Sequence, residues 1–191
     1  MAKDTDFLYV SARIKFLETK LLGRNAIERI LDAPGPEEAL KVLGDTEYGS
    51  DIAEMENIYD FEKVLEKSMI RTIRTLKESF KSHEIIQFFT VKNDYHNLKV
   101  IVKGSILGTE FKVYFSNLGE VSPEEMKKYA QGDTGAIVPD SLKKAYHKAM
   151  EIYETTRDPQ QVDLVLDQAL FEQMAEIIES IRDPFLKEYL T

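Results

Sequence analysis

Cysteine is absent from this 191-residue sequence. Its absence excludes disulfide bonds, thiolate zinc sites and cysteine nucleophiles within the chain. A chain without cysteine is also typical of a reducing compartment, so we expect a cytoplasmic location.

Long apolar runs are missing as well. The opening segment, MAKDTDFLYVSAR, mixes charges with apolar residues and lacks the apolar core of a signal peptide. The longest candidate, 85–107, is interrupted by Lys92, Asp94, Lys99 and Lys103. It therefore falls short of the roughly 18 apolar residues that span a bilayer. We expect no direct membrane insertion, so any work at a membrane has to go through a partner.

Positive charge is in deficit. The chain has 25 lysines and arginines against 34 acidic residues, a formal net charge of −9. This balance repels phosphate backbones, so nucleic acid is not an expected partner. The composition, with 43% hydrophobic and 31% charged residues, is that of a folded chain. Its length suits one ordinary domain or two small ones.

The motifs of common catalytic and cofactor sites are missing too. The sequence has no G-x-x-x-x-G-K-[ST] or G-x-G-x-x-G phosphate loop and no G-x-S-x-G elbow. Its three histidines, His83, His96 and His147, are not spaced as metal ligands. We therefore predict no catalytic residue, no cofactor, no metal site and no saturable Mg-ATP binding. On these grounds the protein is not an enzyme.

Pairs of acids are nevertheless frequent. General acid–base catalysis needs carboxylates with unequal pKa values held in a cleft. We place these pairs in first helical turns, where they stabilise the helix dipole. The pairs are Glu37/Glu38, Glu62/Glu66, Glu124/Glu125 and Asp163/Asp167.

Helical periodicity is what the sequence contains in abundance. Apolar residues recur at spacings of three and four in every long segment, which predicts amphipathic helices and an all-α fold. The segment Glu110–Phe115 is ambiguous, and is either an extended loop or a further helical turn. Ser122 and Glu125 have the spacing of a capping box. The predicted stripes run over 7–21, 65–80, 85–103 and 162–181. Gly23 is the predicted stop after the first stripe, and Asp158 starts the helix of the last one. Further helices start near Pro36, Ser122, Asp140 and Asp183, the one from Asp140 running to about Thr156.

The sequence also repeats itself with an offset of 101 residues, since Val64 aligns with Val165. Further aligned pairs are Glu62 with Asp163, Leu65 with Leu166, Glu66 with Asp167, Met69 with Leu170 and Leu76 with Ile177. Gly104 and Gly108 mark a boundary after the long helix, so we predict a first helical unit over 1–107 and a second over 108–191. The second copy of the repeat is incomplete at Thr191, so we expect a truncated chain.

One polar cluster lies on an otherwise apolar helix. Asp94 and Asn97 are one turn apart, beside the apolar stripe. Two interpretations are open: a solvated strip on a largely buried helix, or a structural polar lock in which Arg13 or Lys92 holds Asp94. The second predicts a structural polar motif of Arg13, Asp94, Asn97 and Lys99.

Several stretches resemble, in order and spacing, the C subunit of bacterial and archaeal V/A-type rotary ATPases, the relative of the eukaryotic V-ATPase d subunit. These are 9–22, 38–49 and 158–171. The most specific is Lys92–Lys99, K-N-D-Y-H-N-L-K, which is similar to that family's D-x-x-N-(I/L)-K pattern. The resemblance spans nearly the whole chain.

The resemblance implies repeated helical-bundle units that form part of a funnel-like socket. It implies a non-catalytic coupling subunit between the rotating central stalk and the membrane proteolipid ring. Such a complex makes ATP or uses it to transport protons or sodium. The implied location is cytoplasmic, peripheral to the membrane through the complex.

A different class of function remains open. A helical-repeat adaptor or regulator would bind a partner helix in a groove. In a truncated chain, apolar residues such as Phe185, Leu186 and Leu190 would also lack cover. We therefore expect self-association of this chain as well.

Overall fold

The computed structural model describes residues 8–79, 83–109, 111 and 114–191. These residues form α-helices and short 3-10 segments, with no strand among them, which confirms the all-α prediction. Most of the ambiguous segment Glu110–Phe115 lies outside the described residues. Within the described part of the chain, no helix combines the length and the apolar character needed to cross a bilayer.

The chain divides into two compact units, Met1–Lys81 and Ser82–Thr191. The first contains α1 (Leu8–Glu18), α2 (Arg24–Leu31), α3 (Pro36–Gly44), α4 (Gly49–Ala53), a 3-10 helix (Ile58–Asp60) and α5 (Phe61–Ser79). The second contains α6 (Glu84–Leu107), α7 (Pro123–Ala130), α8 (Asp140–Thr156), α9 (Pro159–Ser180) and α10 (Pro184–Leu190).

This division differs from the predicted units 1–107 and 108–191 in the position of α6. The helix α6 packs along α9 and also contacts α7 and α8, so its contacts place it with the second unit. The predicted boundary followed Gly104 and Gly108. Gly108 does end the helix, as a left-handed C-cap with φ 63°. A helix end is therefore not the end of a packing unit here.

The first unit is built from short helices with a small core. Val10, Val42 and Val64 are its buried apolar residues among those described. Two of its helices, α2 and α4, were not predicted. Gly23 was interpreted only as the stop of α1, but its extended backbone also serves as the N-cap of α2. A helix of five residues such as α4 is too short to show a period.

A forked ion pair fastens α4 to α5. Arg71 Nη1 donates to Asp51 Oδ1 at 2.9 Å, and Nη2 donates to Oδ2 at 2.6 Å. Asp51 is buried, whereas the Arg71 side chain is about half exposed. The hydrogen bonds from Arg71 lower the pKa of Asp51 below its ordinary value of 3.8.

This ion pair predicts a pH-dependent contribution to stability. Because the pKa of Asp51 is lowered on folding, its contribution is present above about pH 3.8 and is lost as the pH falls through the folded-state pKa. We expect Asp51→Asn to destabilise the first unit at pH 7 and to matter less at pH 3, below the ordinary pKa of the carboxyl. Urea unfolding at both pH values measures this. Equal losses of unfolding free energy at the two pH values would contradict this prediction. Asp45→Asn in the same unit is the control.

The second unit has the larger core. Buried side chains of α6, α8 and α9 form one cluster with Met126 of α7, and α6 alone buries nine residues. The members on α6 and α9 are Val91, Tyr95, Leu98, Ile101, Val102, Val162, Leu166 and Ile177. A helix that is buried on most sides needs partners for its polar side chains, and α6 carries several.

Helix starts in the second unit follow the predicted residue types. Asp158 and Asp183 cap α9 and α10 with their carboxylates, each followed by proline. Ser122 Oγ accepts from Glu125 N at 3.3 Å, as in a capping box. The return bond differs from the prediction, because Glu125 Oε2 accepts from Ile137 N at 2.7 Å. Glu125 therefore holds the loop before α8 instead of its own helix start.

A helix cap recurs with the same offset of 101 residues. Asn57 caps the 3-10 helix by accepting from Tyr59 N, and Asp158 caps α9 by accepting from Gln160 N. The sequence alignment did not include the Asn57/Asp158 pair, so these caps support the repeat independently.

Candidate functional site

Asp94 lies on the buried part of α6, with only 3% of its surface exposed. Its Oδ1 accepts from Val121 N at 2.9 Å, and its Oδ2 accepts from Glu120 N at 3.2 Å. Backbone amides thus bind both oxygens of the carboxylate. Arg13 instead donates to Thr75 Oγ1 at 3.3 Å, which joins α1 to α5 within the first unit.

Asn97 lies one turn further along α6 and is fully buried. Its Oδ1 accepts from Ser116 N and its Nδ2 donates to Ser116 O, both at 2.8 Å. The side-chain amide of Asn97 therefore supplies a hydrogen-bond partner for both the N–H and the C=O of Ser116. In a strand or helix, other backbone groups would do this. Because Asp94 and Asn97 are buried, they do not form the solvated strip that was the first interpretation.

The segment 114–121, which we call the α6-bound loop, receives further bonds from the same helix. Thr90 Oγ1 donates to Glu120 Oε1 at 2.9 Å. His96 Nε2 lies 2.7 Å from Tyr114 O, and Ser116 Oγ donates to Asn93 Oδ1 at 3.4 Å. Side chains of α6 thus bind an irregular segment at both of its ends, which gives its backbone groups the partners that secondary structure would otherwise supply.

Gly119 is the residue of this site that sequence reasoning missed. A Cβ at this position would lie 2.3 Å from Asp94 Oδ1 and 3.1 Å from Asp94 Cγ. Real Cβ atoms do not approach so closely, so the loop reaches the carboxylate only because residue 119 has no side chain. The available signal was a lone glycine between Leu118 and Glu120, which does not indicate its partner.

We expect Gly119→Ala to lower the unfolding free energy by about 1–3 kcal/mol. The added methyl group would displace the Asp94 carboxylate, which backbone amides hold in place. In an Asp94→Ala background the steric conflict is gone, and the same change should cost under about 1 kcal/mol. Urea unfolding of the native chain, the two single variants and the double variant measures the coupling energy between positions 94 and 119. Additive losses would contradict it. Gly44→Ala, where the added Cβ meets no atom within 4 Å, is the matched control.

The opposite side of α6 is joined to α9 by polar contacts. Lys99 Nζ lies 2.6 Å from Asp167 Oδ1, and Lys103 Nζ lies 2.9 Å from both oxygens of Asp163. Tyr95 Oη donates to Gln173 Oε1 at 2.9 Å. The partner numbers fall along α9 as they rise along α6, so the two helices run antiparallel.

These contacts correct the interpretation of Asp163 and Asp167 as helix-start residues. The first turn of α9 has no acidic residue, and both carboxylates instead bind lysines of α6. The four side chains are partly exposed, so each pair contributes under about 1 kcal/mol. Their main effect is to fix the register of α6 on α9.

Tyr95 is a buried hydrogen-bond donor in the same interface. Burial raises its pKa to about 12, and the negative charges of Glu176, Glu172 and Asp94 act in the same direction. The phenol therefore stays protonated and keeps donating to Gln173 throughout the physiological range.

The chemistry that this site displays is the binding of backbone groups. Asp94 is withdrawn from solvent and bound to amide donors, so it does not face a cleft where a substrate could meet it. His96 and His147 contact Tyr114 O and Tyr129 Oη, each at 2.7 Å. No group of three metal-ligating side chains occurs in the part of the chain that the structure describes.

Comparison with known proteins gives one family. The family described as ATP synthase (C/AC39) subunit matches residues 10–191. The chain is 25% identical over 175 residues to the C subunit of the V-type sodium ATPase of Enterococcus hirae, covering 92% of this chain and 53% of that protein. It is 22% identical over 191 residues to the C subunit of the V-type ATP synthase of Thermus thermophilus, covering 97% and 58%.

An archaeal protein is similar to the same degree. The C subunit of the A-type ATP synthase of Methanocaldococcus jannaschii is 22% identical over 200 residues, covering 96% of this chain and 50% of that protein. The chain thus spans about half the length of the curated relatives it matches.

Proposed function

Because this chain belongs to the ATP synthase (C/AC39) subunit family, we propose that it is a non-catalytic coupling subunit of a V/A-type rotary ATPase. It would link the rotating central stalk to the membrane proteolipid ring and so support ATP-coupled transport of protons or sodium. It would lie on the cytoplasmic side, peripheral to the membrane through this complex.

The observation that carries the proposal is the extent of the family match. It runs from residue 10 to residue 191 and therefore includes both compact units. The bacterial and archaeal relatives quoted above are all named as the C subunit of their complexes. One of these complexes is named a sodium ATPase, so the family occurs with at least one ion other than the proton.

The internal bonding of the second unit suits a part that transmits force. Asp94 and Asn97 hold the α6-bound loop to one side of α6, and Lys99 holds α9 to the other. A load applied to the loop or to α9 is thereby passed to one rigid helix. We propose that these three residues act structurally, and that Arg13 does the same for α1 on α5.

Binding to the central stalk tests the proposal directly. The purified chain is mixed with tagged central-stalk subunits of the same complex, and recovery on the tag is measured against ionic strength. We expect stoichiometric recovery. Recovery with neither the stalk subunits nor isolated proteolipid rings would overturn the proposal and favour the adaptor class. The Asp140→Ala variant, altered at an exposed position of α8, serves as the control.

A functional readout follows from the same proposal. In membrane vesicles whose rotary ATPase lacks this coupling subunit, adding the native protein should restore ATP-driven ion uptake. ATP hydrolysis by the catalytic head alone should not depend on it. Calorimetric titration of this chain with Mg-ATP should give no saturable heat at micromolar concentrations. Saturable binding of one nucleotide per chain would contradict the non-catalytic part.

A further inference from the structure

We draw no further inference here: the strongest candidate, the open cleft of about 320 Å³ between the last turns of α6 and helix α7, is lined chiefly by apolar side chains such as Ile101 and Phe115, and nothing in the structure shows what covers it.

Discussion

Replacing Asp94 with alanine should lower the unfolding free energy of the second unit by about 2–4 kcal/mol. The carboxylate accepts from Glu120 N and Val121 N, and alanine leaves these amides without their acceptor beneath a buried helix. A bond to an ionised acceptor is stronger than a neutral one, so the loss exceeds that of an ordinary hydrogen bond. Urea unfolding followed by circular dichroism measures it.

Two variants show whether the bonds cause the effect. Asp94→Asn keeps the shape and one acceptor oxygen but turns an NH2 group toward the other amide, so we expect an intermediate loss. Asp140→Ala removes an exposed carboxylate at the start of α8 and should change stability by less than about 0.5 kcal/mol. If Asp94→Ala matched Asp140→Ala, the structural role of Asp94 would be wrong.

Asn97→Ala should lower the unfolding free energy of the second unit by a similar amount, about 2–4 kcal/mol. Its amide satisfies both the N–H and the C=O of Ser116, and it is fully buried. Alanine leaves both backbone groups unpaired and creates a small cavity at a position closed to bulk water. The same urea unfolding measurement applies.

The Asn97→Asp variant tests the donor role of the amide separately. Aspartate has almost the same shape and can still accept from Ser116 N, but it cannot donate to Ser116 O and adds a buried charge. We expect a loss at least as large as that of alanine near pH 7, diminishing toward low pH as the carboxyl becomes neutral. Asn93→Ala, whose contact with Ser116 Oγ is 3.4 Å, should lose under about 1 kcal/mol. Similar losses for positions 93 and 97 would contradict the bidentate role of Asn97.

Much of the fold could be predicted because apolar residues recur every three or four positions along the long helices. The segments that became α5, α6 and α9 were recognised from apolar spacing, and α8, observed at Asp140–Thr156, was predicted from its start at Asp140. The polar residues of the site could also be selected, since Asp94 and Asn97 interrupt a helix that is otherwise apolar. Periodicity assigns a residue to a face of its helix and therefore predicts whether it is buried.

The partners of these residues could not be predicted in the same way. Asp94 was expected to bind a basic residue such as Arg13 or Lys92, and its bonds to backbone amides 26 and 27 residues later were not predicted. Loop conformation depends on tertiary contacts and leaves no period in the sequence. The role of Gly119 follows from a distance of 2.3 Å to another residue, which no local pattern encodes.

Acidic and hydroxyl residues near helix starts were informative, but they did not show whether a side chain binds its own helix or another one. Asp158 and Ser122 were identified as helix starts, and both accept the expected amide. Asp163 and Asp167 were assigned to the same kind of role, yet they bind Lys103 and Lys99 of another helix. An acid near a helix start suits either role, and tertiary packing decides between them.

The way α6 binds its loop has a consequence for amide hydrogen exchange. Irregular surface segments normally exchange their amide protons quickly, because water is their partner. The amides of Ser116, Glu120 and Val121 are instead held by side chains of a buried helix. They should exchange as slowly as core helical amides and open in a single cooperative event. In solution the segment would then behave kinetically as part of the helix that binds it, although its backbone has no helical conformation at these positions.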